Sequence, residues 1–282
     1  MHMPTDVAVD RGGRVFVVDG ANDRILRFSP DGALELTFSG GRDQSLRQPV
    51  GLTVGPDDRL WIADSGNHRI VLLSSDGDWV ETMNLAAAPG DRPVDPTDLV
   101  VTEDGRHTYI VDNDNHRLLI RDNQTGRLTT SGQQGSAHGQ FQWPFMICRG
   151  AEGDLFVSES VGARVQRMSR AGEWIGQVGR WGVELGHLYR PKGVAADSRG
   201  RLFVSDSSLG VIQVFDPRGG VEAVLTDEKG TPLSFRHPMG LCFDASGRLY
   251  VVELAADRVA VLVLADRREG RLPESQPGGP RP

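Results

Sequence analysis

A fingerprint of about fifteen residues recurs six times along the chain and constrains the fold more than any other feature. The copies open at Pro4, Pro49, Pro96, Pro144, Pro191 and Pro238. Each copy contains a short apolar run, a polar turn with glycine, and a second apolar run that ends on a carboxylate. Successive copies are 45, 47, 48, 47 and 47 residues apart. A nearly constant period of this length indicates a solenoid, a propeller or an array of repeats.

One period contains four short strand candidates joined by tight turns. In the second copy they lie at residues 51–54, 60–63, 69–73 and 79–83. No apolar pattern with a period of 3.6 residues is sustained anywhere, which excludes a solenoid of helical repeats. Four antiparallel strands per period, repeated six times, predict an all-β fold: a six-bladed β-propeller of four-stranded antiparallel blades.

The last blade is expected to differ from the other five. Its first three strands are predicted at residues 240–244, 249–252 and 258–264. After the next turn only Arg271 and Leu272 precede Pro273, which cannot donate to a strand ladder. We therefore predict a three-stranded last blade, a propeller over residues 1–266, and an irregular Pro/Gly-rich tail over residues 267–282. The open apolar edge is predicted to contact a protein partner or a second copy through Val259, Val261 and Val263.

Several segments resemble the NHL repeat. They are residues 190–197 (RPKGVAAD), 200–206 (GRLFVSD), 51–54 (GLTV) and 60–70 (LWIADSGNHRI). The resemblance extends from residue 4 to about residue 264 and implies a six-bladed propeller. It leaves function open, because NHL-like propellers include enzymes, RNA-binding proteins and protein-binding scaffolds.

The carboxylate at the end of each second strand is interpreted as structural. In the second copy Asp64 precedes Asn67 and Arg69, and other copies repeat this spacing. Asparagine suits a tight turn, and an arginine can pair with the carboxylate across it. His68 and His116 occupy the same motif. We predict no catalytic residue among these repeated groups.

Residues that differ between copies are better candidates for recognition. The connections into blades are predicted to share one face of the propeller, the linker face, with the turns after the second strands. Phe141, Leu188 and Phe235 are expected to plug the seams between blades. The predicted ligand- or partner-binding residues on this face are Trp143, Phe145, Met146, Arg180, Trp181, Tyr189, Arg190, Lys192, His187, His237, His68 and His116. Aromatic side chains mixed with arginine are typical of interaction surfaces.

Two carboxylates mark the mouth of the central channel. Asp6 and Asp98 stand two residues after an opening proline, where the family usually has glycine. A pair of carboxylates there could hold a hard cation. The resemblance also points to the α-amidating lyase, which holds zinc with histidines around the axis, but no histidine occupies the two positions after any opening proline. We predict no metal and no cofactor.

Charge and hydropathy narrow the class of partner. The formal net charge is −7, which disfavours nucleic acid because phosphate binding requires a basic face. No apolar run is long enough to span a membrane, and the N-terminal residues do not form a signal peptide. The compartment stays open: cytoplasmic, or exported with the signal removed.

The sequence therefore predicts a non-catalytic binding module that recognises a protein or small ligand on the linker face around the channel. The alternative is a lyase or hydrolase acting at the channel mouth, similar to the α-amidating lyase. RNA binding, as in some eukaryotic NHL proteins, is a third possibility.

Overall fold

Twenty-three β-strands make up the sheets in the computed structural model, which describes residues 1–40 and 44–265. Blade 1 contains β1 (Pro4–Val9), β2 (Val15–Asp19), β3 (Arg24–Phe28) and β4 (Leu34–Phe38). Blade 2 contains β5 (Pro49–Val54), β6 (Leu60–Asp64), β7 (Arg69–Leu73) and β8 (Trp79–Asn84). Blade 3 contains β9 (Pro96–Val101), β10 (His107–Asp112), β11 (Arg117–Asp122) and β12 (Leu128–Ser131).

The second half of the ring continues the pattern until its last blade. Blade 4 contains β13 (Pro144–Arg149), β14 (Leu155–Glu159), β15 (Arg164–Met168) and β16 (Trp174–Val178). Blade 5 contains β17 (Pro191–Ala196), β18 (Leu202–Asp206), β19 (Val211–Phe215) and β20 (Val221–Val224). Blade 6 contains β21 (Pro238–Phe243), β22 (Arg248–Glu253) and β23 (Arg258–Val263).

Each sheet pairs its strands antiparallel and in chain order from the innermost strand outwards. Five sheets have four strands and the last has three among the residues described. The predicted six-bladed propeller with a three-stranded last blade is confirmed. The predicted irregular tail at residues 267–282 lies outside the described residues.

The core lies in the seams between neighbouring blades, because each sheet is apolar on both faces. Between blades 1 and 2, Phe16 and Ile25 pack in one cluster with Ile62 and Leu73. The ring closes by the same kind of contact, since Val7 of β1 packs in a cluster with Met239 and Tyr250 of blade 6. An apolar residue of each linker is also buried in a seam: Leu46, Val94, Phe141, Leu188 and Phe235. The predicted plugs Phe141, Leu188 and Phe235 are confirmed.

Helical structure is confined to short turns in the described part of the chain. The 3-10 helices are Gly20–Asn22, Ser65–Asn67 and Leu254–Ala256. None of them approaches the length needed to cross a lipid bilayer.

Candidate functional site

The carboxylate at the end of each second strand is fully buried. In blade 2, Asp64 accepts a hydrogen bond from the backbone N–H of Arg47 at 2.7 Å. It also accepts one from Nδ2 of Asn67 at 2.8 Å and one from Nε of Arg69 at 2.6 Å. The first donor lies in the linker that enters the blade, and the other two lie in the turn after β6. Because three donors already engage it, this carboxylate joins linker to hairpin and is not free for chemistry.

The other blades repeat this arrangement. An arginine Nε binds the carboxylate in five blades: Arg24–Asp19, Arg69–Asp64, Arg117–Asp112, Arg164–Glu159 and Arg258–Glu253. Each of the six carboxylates accepts a linker backbone N–H, from His2, Arg47, Asp95, Gln142, Tyr189 and Arg236 respectively. Blade 5 lacks the arginine, and Asp206 accepts from the N–H groups of Ser208 and Leu209 instead. The predicted pairing across the turn is confirmed.

His68 and His116 connect each turn to the next linker. Both residues have a positive φ, at 55° and 54°, and stand at the end of the turn after a second strand. Nδ1 of His68 lies 2.8 Å from the carbonyl oxygen of Val94. Nδ1 of His116 accepts the backbone N–H of Trp143 at 3.0 Å, and burial lowers the pKa of this imidazole. His116 is buried, so it positions Trp143 and does not itself face solvent.

The linker into blade 5 exposes a group of large apolar side chains. Trp181 is 72% exposed and its ring lies 6.4 Å from that of Tyr189, which is also exposed. Val183 and Leu185 extend the group and are 70% and 56% exposed. Neither residue belongs to the predicted binding set, although the sequence places both between Gly182 and Gly186 in a connecting loop. Leu188 anchors the same linker in the seam.

Polar residues of the predicted set surround this apolar group. Nε of Arg180 donates to Nε2 of His187, so the two side chains act as one unit. Arg190 is exposed, and its guanidinium lies 3.4 Å from the carbonyl oxygen of Ser160 on the neighbouring blade. His237 is exposed in the linker into blade 6.

Lys192 and Phe145 meet at the linker-face end of the channel. Nζ of Lys192 lies 3.7 Å from the centroid of the Phe145 ring. Burial, together with the charge of Arg190, lowers the pKa of Lys192 to about 8. No carboxylate among the described residues forms an ion pair with this amine. Met146, from the same predicted set, is buried beneath.

We expect Lys192 to titrate near pH 8, since burial and Arg190 disfavour its charged form. The chain has two lysines, so reductive methylation with isotope-labelled methyl groups gives two lysine resonances, besides that of the N-terminal amine, that NMR can follow with pH. Lys192→Arg assigns the shifted signal, and Lys229 supplies the reference in the same sample. A midpoint at the ordinary lysine value of 10.5 would contradict the expectation.

Asp6 and Asp98, the two carboxylates predicted at the channel mouth, are buried in the wall of the channel. Both line a cavity of about 270 Å³ that the innermost strands enclose, and both are 6% exposed. Asp6 accepts the backbone N–H of Leu52 at 2.9 Å, and Asp98 accepts that of Ile147 at 2.8 Å. Each carboxylate therefore bonds an N–H group on the following blade.

A bulge after the opening proline explains why these carboxylates bond N–H groups on the following blade. In blade 2, Pro49 pairs with Asp64 but the next paired residue is Leu52, so the ladder is interrupted there. An interrupted ladder leaves N–H groups that need acceptors. Burial raises the pKa of Asp6 to about 7, and burial together with the charge of Asp6 raises that of Asp98 well above its usual range. No group of three or more potential metal ligands occurs among the described residues.

Comparisons with known proteins agree with this geometry. The family model for the NHL repeat matches residues 46–71, which contain the Asp64 hydrogen-bond network of blade 2. The protein is a six-bladed β-propeller that contains a segment similar to the NHL repeat. The chain is 28% identical over 132 residues to Protein brain tumor of Drosophila melanogaster. That match covers 46% of the chain and 12% of the length of the Drosophila protein.

Solved structures share the fold of this propeller at low sequence identity. A streptogramin B lyase aligns with a TM-score of 0.66 at 12% identity, covering 92% of each chain. A gluconolactonase from Xanthomonas campestris aligns with a TM-score of 0.66 at 18% identity, covering 89% of this chain and 82% of that one. Identities this low establish a common fold for this chain and these enzymes and leave its chemistry open.

Proposed function

We propose that this protein is a non-catalytic binding module that recognises a protein partner on its linker face, centred on the linker into blade 5. The observation that carries the proposal is the exposed apolar group in that linker. Its members are Trp181, Val183, Leu185 and Tyr189, flanked by Arg180 and Arg190. Contiguous exposed apolar side chains rimmed by charge mark interaction sites.

The linker is held in place before any partner arrives. Leu188 is buried in the seam, and the N–H groups of Tyr189 and Arg190 bond to the buried carboxylate of Asp206. A fixed backbone reduces the entropy lost on binding. Tryptophan, tyrosine and arginine are the residue types that contribute most at protein interfaces.

The other candidate functions have weaker support. A net charge of −7 opposes RNA binding. A reaction at the channel mouth has one observation in its favour: Lys192, with its pKa near 8, could act as a base or nucleophile there. The exposed edge of blade 6, with Val259, Val261 and Val263, is a second candidate contact for a partner or a second copy.

The linker-face proposal predicts that Trp181→Ala and Arg190→Ala each weaken partner binding by about 30-fold, the effect of a typical interface hot spot. A photo-crosslinker near Trp181 would capture the partner from a lysate of the native organism. Titration of the purified partner would then give the dissociation constant of each variant. The melting temperature is expected to change by no more than about 2 °C, because both side chains are exposed.

Leu34→Ala and Asp31→Ala are matched controls, since both residues are exposed in the outer part of blade 1. Neither should alter binding. Loss of binding with the controls but not with Trp181→Ala would contradict the proposal. If nuclease treatment abolishes the capture, the binding partner would instead be RNA.

A further inference from the structure

The outer side of β23 has no neighbouring strand among the described residues. Blades 1–5 each cover their third strand with an outer strand, whereas the sheet of blade 6 ends at β23. The effect on burial is large. Val261 is 50% exposed, while the residues at its position in blades 2 and 5, Leu72 and Val214, are 2% and 3% exposed. These positions are equivalent by strand pairing: Val261 lies opposite Tyr250, just as Leu72 lies opposite Trp61.

The five covered blades show what fits such an edge. Their outer strands have four to six residues and pair antiparallel with the third strand. The residue opposite the first apolar position of the third strand is repeatedly apolar: Phe38 opposite Ile25, Met83 opposite Ile70, and Val178 opposite Val165. In blade 6 the corresponding position is Val259, which packs at the seam with blade 1. An occupant therefore needs an apolar residue opposite Val259.

The sequence that follows β23 lacks the features that form the outer hairpin in the other blades. In each of those, a glycine with a φ between 74° and 90° stands four residues after the third strand. These glycines are Gly32, Gly77, Gly126, Gly172 and Gly219. The residue four positions after Val263 is Arg267, which would be strained at such a φ. The outer-strand window that follows, residues 269–273, reads EGRLP and contains one large apolar residue.

We propose that the edge of β23 accepts an extended segment of a separate polypeptide, which adds to blade 6 as a fourth, antiparallel strand. Its free backbone N–H and C=O groups would bind the segment, and the seam beside Val259 would select an apolar side chain at the register position. The proposal rests on the proposed function only in that both require a polypeptide partner. The two surfaces are separate, and the assay below reads β23 directly.

The outer strand of blade 2 provides a defined probe, because it already covers an equivalent edge. A peptide that copies residues 77–85 (GDWVETMNL) is expected to bind the full-length protein. Hydrogen exchange should show new protection in β23 at those alternate N–H groups that do not bond to β22. In the peptide, Met83→Asp should weaken binding by about tenfold or more, because a charge would enter an apolar seam.

Matched variants of the protein test the location. Val261→Asp should weaken peptide binding by about tenfold, whereas Val161→Asp, at a valine of similar exposure in the turn after β14, should not. Three results would overturn the proposal. The first is no protection of β23 at about 1 mM peptide. The second is protection of the outward N–H groups in dilute protein without peptide, which would indicate that residues 266–282 occupy the edge. The third is a dimer that Val261→Asp abolishes, which would indicate a second copy.

Discussion

From about pH 4 to pH 8, the free energy of unfolding is expected to fall by about 4 kcal/mol more in the wild-type protein than in an Asp6→Asn variant. Burial raises the pKa of Asp6 to about 7, so the folded protein keeps a proton that the unfolded chain releases near pH 4. This contribution is fully present at low pH and is lost as the pH rises through 7. Asparagine can still accept the N–H of Leu52 and does not titrate.

Urea unfolding at a series of pH values, followed by tryptophan fluorescence, measures the difference. Asp31→Asn is the control, because its carboxylate is fully exposed in an outer turn and its pKa is lowered through the hydroxyl of Ser29. Subtracting the variant curve removes contributions from groups that do not interact with Asp6, such as Asp95, whose pKa is raised to about 6 by burial. The difference therefore reports Asp6 together with its effect on Asp98, whose pKa the charge of Asp6 raises. Parallel curves for wild type and Asp6→Asn would show that Asp6 ionises normally in the folded protein.

Asp64→Ala is expected to lower the free energy of unfolding by about 3–5 kcal/mol, which is the usual effect of removing one partner of a buried ion pair. The variant leaves the guanidinium of Arg69 and the N–H of Arg47 without their acceptor. Because the carboxylate also holds the linker, we expect the linker into blade 2 to lose hydrogen-exchange protection at residue 47.

Two comparisons sharpen this result. Asp206→Ala removes the equivalent carboxylate in blade 5, where no arginine follows, and should cost less because no buried cation is left unpaired. Asp76→Ala removes an exposed carboxylate that lies 3.3 Å from Arg27, and should cost at most about 1 kcal/mol. Equal losses at positions 64 and 76 would mean that burial of the network contributes nothing.

Sequence alone predicted the ring because its determinants are local and repeated. The period fixes the number of blades, and the strand–turn pattern within one period fixes the strand order. The pairing of Asp64 with Arg69 was also predictable, since the two residues flank a single turn. The prediction of a three-stranded last blade came from Pro273, which only two residues separate from the last predicted turn.

The remaining features depend on contacts between copies, which no single repeat encodes. Asp6 was predicted at the channel mouth, but its role as an acceptor depends on an N–H group of the next blade, which its own repeat does not contain. His116 looked like a surface residue, yet its partner is Trp143 in the following linker. Val183 and Leu185 were passed over because exposure cannot be read from a loop sequence without knowing which residue of that loop, here Leu188, anchors it.

The linker connections have an implication for how such a protein can change. Each buried carboxylate holds its linker through a backbone N–H, which every residue except proline possesses. The side chains of the donor residues accordingly range from acidic to basic and aromatic: His2, Arg47, Asp95, Gln142, Tyr189 and Arg236. The side chains at these six places can therefore be exchanged without altering the bond that fixes the loop. The binding specificity of this face can therefore change in evolution, or be engineered by loop grafting, while the propeller that carries the linkers stays the same.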